Sequence, residues 1–382
     1  EWVWFNLGQY ALDFSPATQT AFREYLKEIY ADDAALQAAW NDPNVTLETA
    51  EVPPVEDRES KDYLSLLTPE HNRSTLDFHD FMADVNVKLL KRFTAEITEA
   101  VDDKWVLGAY YGYVTNTYFY GNSNGTMHIA VEQALEDENL DFMCAPILYT
   151  ERYDGESGGY MKMIDSIQAH GKAVIIENDN RFCSYVDLSS NFYTRDAVGP
   201  TYNVWDSISQ LERDFANQIT TQVGQWYFNM WGTFFLNEQF SEAIGTAYNE
   251  AKVNMARPSN YKSDICYIID EDMFTYLAYN SFDSNYEFLY PLLYEQRMEL
   301  AKIGANYDMY YMSDLAKGLI PDYKIYMLMA PVEMDATERE AVEKHLKNNG
   351  KTVIWQYISG ASDIETFSAE NMTNAIGRDV KF

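Results

Sequence analysis

The sequence predicts an α/β fold with parallel sheets in two domains, and three observations carry that reading. Short apolar runs recur along the chain, and most are followed by a loop and a helix-period segment, the pattern of parallel strands buried on both faces. The pattern restarts after Pro258. The 382 residues also exceed what one hydrophobic core usually organises, with about 150 residues per domain as a prior.

Taken in order, the chain turns helical from Ser15-Pro16, where Phe22, Tyr25, Leu26 and Ile29 recur at helical spacing and Ala34 to Trp40 continue likewise. A polar loop over about 42–75 follows, with Pro43, Pro53 and Pro54, and then a long amphipathic helix from Asp77 to about Val101. Trp105–Tyr111 reads as the first strand, with a helix from His128 to Leu135 after it. Phe142–Tyr149 is the second, leading through a Gly-rich loop to a helix from about Gly159 to Ala169. Ala173–Glu177 is the third, with a helix from about Val204 to Thr220, and Gln225–Trp231 is the fourth. In the second unit, Ile265–Asp270, Tyr323–Met329 and Thr352–Trp355 read as strands. Tyr286 to Ile303 and Ala336 to Asn348 read as helices, the latter closed at Asn349-Gly350.

Composition excludes several functions. Sixty Asp and Glu face 28 Lys and Arg, a formal net charge of −32, and no basic stripe stands out against that field. Nucleic acid, anionic membranes and acidic polysaccharides are therefore disfavoured as partners. The acidity itself reads as a solvated surface. No stretch approaches the roughly 20 apolar residues of a membrane span. Cys144, Cys183 and Cys266 show neither zinc-ligand nor disulfide spacing, and Cys144 and Cys266 sit in apolar runs as buried thiols. Gly155-Glu156-Ser157-Gly158-Gly159 has the glycines of a phosphate cradle but two acids nearby and no Lys-Ser/Thr pair, so it reads as a flexible loop. No cofactor and no metal are expected. Aromatic residues make up 15% of the chain, with 30 Tyr. Such rings suit sugar sites, where a C–H face stacks on a ring, although core packing explains most single aromatics equally well.

In parallel α/β folds the reactive groups lie at the carboxyl ends of the strands, which selects Tyr111, Tyr149, Glu177 and Trp231. Glu177 stands out, because a carboxylate ending Val174-Ile175-Ile176 is costly to bury unless it is paired or put to use. Two readings of Glu177-Asn178-Asp179-Asn180-Arg181 stand on the residues alone. In one, Arg181 keeps Glu177 ionised as a nucleophile; in the other, a structural Glu/Arg pair caps the strand. His128 either reaches a substrate from the loop above a strand or caps the helix it begins. His79, His170 and His345 read as surface residues.

The run Asp13-Phe14-Ser15-Pro16-Ala17 to Tyr30, followed by Leu36 and Ala39-Trp40-Asn41-Asp42-Pro43, resembles the segment after the acid/base Glu of family 42 β-galactosidases. Leu140–Tyr149 and Gly171–Arg181 look like the same family, and Asp322–Thr352 is similar to its amidotransferase-like, flavodoxin-like trimerisation domain. The resemblance implies a partial (β/α)8 TIM barrel, later strands only, over 1–257, and a smaller α/β domain over 258–382. It implies a retaining glycosidase acting on an oligosaccharide or β-glycoside, plausibly a β-galactoside, with Glu177 as nucleophile and Glu1 as general acid/base. Tyr149 is implied near the nucleophile and Trp226 or Trp231 as the stacking floor; Tyr111, Asp179, Arg181, Asn229 and His128 are further substrate-side candidates from the residues themselves, outside what the resemblance implies. It also implies a homo-oligomer, a trimer. The opening barrel strands and the Asn that precedes the acid/base in the family have no counterpart, so a fragment with an unpaired edge is expected, in which the α-amino group would disturb Glu1. The sequence leaves localisation open between a bacterial cytoplasmic and a secreted setting. The competing reading is a non-catalytic sugar-binding or assembly protein built on a decayed barrel; an amidotransferase using Cys266 ranks last, because that cysteine lies inside a strand.

Overall fold

The computed structural model describes residues 13–58, 66–101, 104–113, 115, 129–184, 201, 203–229, 234–257, 262–278, 290–347 and 349–381. Its first layer is helical. Helix α1 (Pro16–Ile29) starts where Ser15 accepts from the Thr18 amide at 3.3 Å, and α2 (Asp33–Trp40) is capped by Asp32 and closed by Asn41 in the left-handed region. Both lie against α3 (Pro69–Val101), which begins a full two turns before the expected Asp77 and has a non-helical residue at Asn72. Phe22, Leu26, Leu36, Phe78 and Phe81 form the small core between them.

Strands β1 (Gly108–Tyr110), β2 (Phe142–Pro146), β3 (Ala173–Asn178) and β4 (Gly224–Tyr227) form one all-parallel sheet in chain order, with α4 (Val131–Leu135), α5 (Ile164–Ala169), α6 (Val204–Thr221) and α7 (Glu238–Asn254) following in turn. Sequential order with a helix after each strand is the connectivity of a (β/α)8 barrel, with four such units among the described residues. One face of the sheet is sealed by apolar side chains: Met143, Ala145, Val174 and Ile176 are all buried.

The second sheet runs β6 (Tyr307–Tyr311), β5 (Ile265–Ile269), β7 (Ile325–Met329), β8 (Thr352–Gln356), again all parallel. Written from its own first strand this is the order 2-1-3-4, the doubly wound arrangement of flavodoxin-like folds. It carries α8 (Gln296–Lys302), entered through a π-turn at Tyr290–Glu295, then α9 (Met312–Lys317), α10 (Ala336–His345) and α11 (Ala369–Ile376). The capping box of Asp335 and Glu338 fixes the start of α10; its end falls at His345, short of the expected Asn348. The two sheets share packing, since one buried apolar cluster runs from Leu76, Val87 and Ile176 through to Tyr267, Met309 and Met329.

Two histidines read as surface residues are not exposed. His79 is buried on α3, with Nδ1 at 2.8 Å from the Thr275 carbonyl oxygen, and burial lowers its pKa to about 4. His170 meets Asp314 of α9 at 2.7 Å. Helical, polar neighbours in the sequence conceal both, because the second layer that covers them is remote in the chain. Cys144 and Cys266 are buried free thiols.

Candidate active site

Parallel pairing decides which side chains share a face. Tyr110, Cys144 and Ile175 are register partners, and two residues on Pro146, Glu177 and Trp226 align across β2, β3 and β4. Since side chains alternate along a strand, Tyr110, Cys144, Glu177 and Trp226 all project on the side opposite the apolar seal. That face is partly open: Tyr110 is 40% and Trp226 38% exposed, while Glu177 between them is 7% exposed. The Tyr110 hydroxyl donates to Glu177 Oε2 at 2.5 Å. Burial pushes the Glu177 carboxyl up to about 7; the Tyr110 hydrogen bond opposes this, the Asp179 charge adds to it and the Arg152 guanidinium counters that charge.

The strand end is held from two sides. Asn178 and Asn180 both donate to Asp214 Oδ2 of α6, at 3.2 and 2.6 Å, while Arg213 engages Asp214 Oδ1 at 2.9 and 3.0 Å. From the loop after β2, the fully buried Arg152 donates to the Ile147 carbonyl at 2.7 Å, pairs with Asp179 and lies 4.3 Å from the centre of the Tyr149 ring. Asp179 is thereby committed to Arg152, a buried pair that orders the turn.

The expected site residues fall into three groups. Glu177, Tyr149, Asp179 and Trp226 lie together at the carboxyl end of the first sheet, and Arg181 is buried just beyond them. Two are placed elsewhere. Tyr111 points to the sealed side, with its hydroxyl on the Ile129 carbonyl oxygen at 2.7 Å, because it is one residue out of phase with Tyr110. Asn229 turns its Oδ1 to the Phe234 amide at 2.9 Å, bracing its own loop. Glu1, His128 and Trp231 lie outside the described residues. The Arg152 guanidinium lowers the Glu177 carboxyl, and burial outweighs that field. Tyr110, Arg152 and Asp214 escaped the sequence reading. Strand parity could have found Tyr110, and the scarcity of basic residues could have flagged Arg152 beside Glu151. Among the described residues, no group of three or more His, Cys, Asp or Glu is arranged to hold a metal ion, and no helix is long and apolar enough to cross a membrane.

Chemically, this is a nearly buried carboxylate on a partly open face, gripped by a phenol and flanked by an aromatic plane. No protein-family model and no curated protein matches the sequence. Solved structures do. A β-galactosidase from the psychrophilic Marinomonas ef1 superposes with a TM-score of 0.62 at 14% identity, over 98% of this chain and 60% of that one. A GH42 β-galactosidase from G. stearothermophilus, solved as a catalytic mutant, gives 0.61 at 15% identity over 93% of this chain and 51% of its own. The β-galactosidase of the Antarctic haloarchaeon Halorubrum lacusprofundi gives 0.60 at 14% identity, covering 94% and 53%. The chain thus spans between half and three-fifths of the length of these neighbours. Along nearly all of its own length, this chain has the fold of the GH42 β-galactosidases.

Proposed function

We propose that this chain belongs to a retaining glycoside hydrolase acting on terminal β-linked sugars, β-galactosides first. The observation that carries the reading is Glu177, a nearly buried carboxylate at the end of a parallel strand, on an open face with Tyr110 and Trp226, in a fold shared with β-galactosidases. In this reading residues 1–257 belong to the catalytic unit and 258–382 to a unit of assembly, through which the chain forms a homo-oligomer.

Retention requires two carboxyl groups about 5–5.5 Å apart, one attacking and one donating a proton. Ionised Glu177 attacks the anomeric carbon as the C–O bond to the leaving group breaks, and Glu1 as general acid protonates the departing oxygen. Water, deprotonated by the same Glu1, then displaces Glu177 and releases the sugar with its original configuration. The Tyr110 hydroxyl stabilises the anionic form of Glu177 before attack. Trp226 supplies a plane for the C–H face of the sugar.

The test is Glu177→Gln in the intact protein, assayed on an aryl β-galactoside. The expected result is loss of turnover by at least about a thousand-fold, with sugar binding and thermal melting nearly unchanged, given what removal of an essential group costs. An unchanged rate would end the assignment and leave the sugar-binding reading in its place.

A further inference from the structure

Among the described residues, a buried ion pair joins the second sheet's layer to the candidate site. Arg297 of α8 places Nη2 at 2.7 Å from Glu151 Oε1, and the side chains of both are at most 2% exposed. Glu151 belongs to the short turn Tyr149–Glu151 that follows β2, and its other oxygen accepts from Ser157 Oγ and, at 3.1 Å, from the Gly159 amide. The next residue is Arg152, which clamps the Ile147 carbonyl and Asp179, two positions from Glu177. A buried charge held this way has one place to go, since removing its partner leaves it uncompensated.

We propose that Arg297 is a positioning residue for Glu177, acting across the interface through Glu151, Arg152 and Asp179. Arg297 holds the Glu151 carboxylate away from its neighbour Arg152. Arg152 is then left to neutralise Asp179, whose charge otherwise bears on Glu177. The second unit thereby sets the geometry and charge of the candidate nucleophile. This rests on the reading of Glu177 as nucleophile.

Other contacts across the same interface allow a clean control. Lys317 of α9 meets Glu136 at 2.8 Å, with both side chains exposed by about a third or more, and has no link to the turn carrying Arg152. The experiment compares Arg297→Met, Arg297→Lys, Lys317→Met and the double variant Arg297→Met with Glu151→Gln, in the intact protein, by pH profiles of kcat and kcat/KM on an aryl β-galactoside. For Arg297→Met we expect kcat to fall by about ten-fold or more at little change in KM, since small misplacements near a reacting group are costly. The acid limb of kcat/KM moves to higher pH, because Asp179 is less well neutralised. Arg297→Lys restores most of the rate, and Lys317→Met leaves the profile where it was. Should Arg297→Met fail to fold, the double variant is read in its place: with no Glu151 carboxylate to draw Arg152 from Asp179, a wild-type acid limb supports the relay, and a displaced limb overturns it. A folded Arg297→Met protein with wild-type kcat and acid limb overturns the proposal outright. Glu177→Gln separates the two failures: if it retains turnover, the nucleophile reading has failed, and if it is dead while Arg297→Met is normal, only the relay has.

Discussion

At the scale of residues, the site turns on the phase of a strand. A pair such as Tyr110-Tyr111 offers two equivalent rings to a reader of the sequence, and the strand-end rule favours the second. The register of β1 with β2 and of β2 with β3 puts Tyr110 on the face of Glu177 and Tyr111 in the core. Glu177 itself was legible, because an acid ending an apolar run is conspicuous; its partners were not, because Tyr110 and Arg152 come from other strands and loops. The Tyr110 hydrogen bond favours the charged form of Glu177, so removing it raises that group further above its present value near 7. Tyr110→Phe should therefore displace the acid limb of kcat/KM upward by about one unit, the equivalent of a charge-assisted hydrogen bond of about 1.5 kcal/mol. A limb that stays in place would show that the phenol does not hold the ionised carboxylate.

At the scale of elements, caps and periodicity were legible and edges were not. Ser15-Pro16, Asp32 and the Asp335/Glu338 box start helices where their residue types dictate. Strand β6 passed unseen, because Tyr307-Asp308-Met309-Tyr310-Tyr311 lies at the sheet edge and carries an acid that a central strand would exclude. Helix α7 was equally hidden; of its residues only Phe240 is buried, too little to leave an apolar period. Beside its apolar core, the α1–α2 layer is tied to α3 through the buried Asp77. Asp77 accepts from Tyr30 at 2.7 Å and Trp40 at 2.7 Å while pairing with Arg73 at 2.7 Å. Asp77→Ala should cost on the order of 3 kcal/mol in chemical denaturation, as three donors lose their acceptor at once. Hydrogen exchange should rise in α1 and α2 and hold steady in β3, and uniform loss of protection would refute a local role.

At the scale of the whole molecule, the two parallel arrays were legible from the alternation of short apolar runs with helices, but their union was not. Asp165 of α5 accepts from the Met309 amide of β6 at 2.8 Å, and Glu271, after β5, accepts from the Val131 and Glu132 amides at the start of α4. These acids lie in the seam between the sheets, and the seam governs stability against pH. Burial, aided by Asp308, lifts Asp165 to about 7; burial likewise lifts Glu132 to about 7 and Asp270 and Glu271 well above the ordinary range. A carboxyl whose folded value exceeds its unfolded one binds its proton more tightly when folded. Its contribution is complete below about pH 4 and disappears as pH rises through about 7. His79, lowered to about 4 by burial, works the other way and costs stability as pH falls below about 6.5. Lys162, which burial lowers to about 7, opposes in the same sense as His79, but the several carboxyls outweigh these two groups, and acidification also relieves the repulsion of a chain with net charge −32. The melting temperature should therefore climb as pH is lowered from 8 toward 5.5, the reverse of a protein whose acids are stabilised as anions. Calorimetry across that range at fixed ionic strength decides it. A melting temperature that falls steadily over the same interval would mean that the seam carboxylates keep their charge in the folded state.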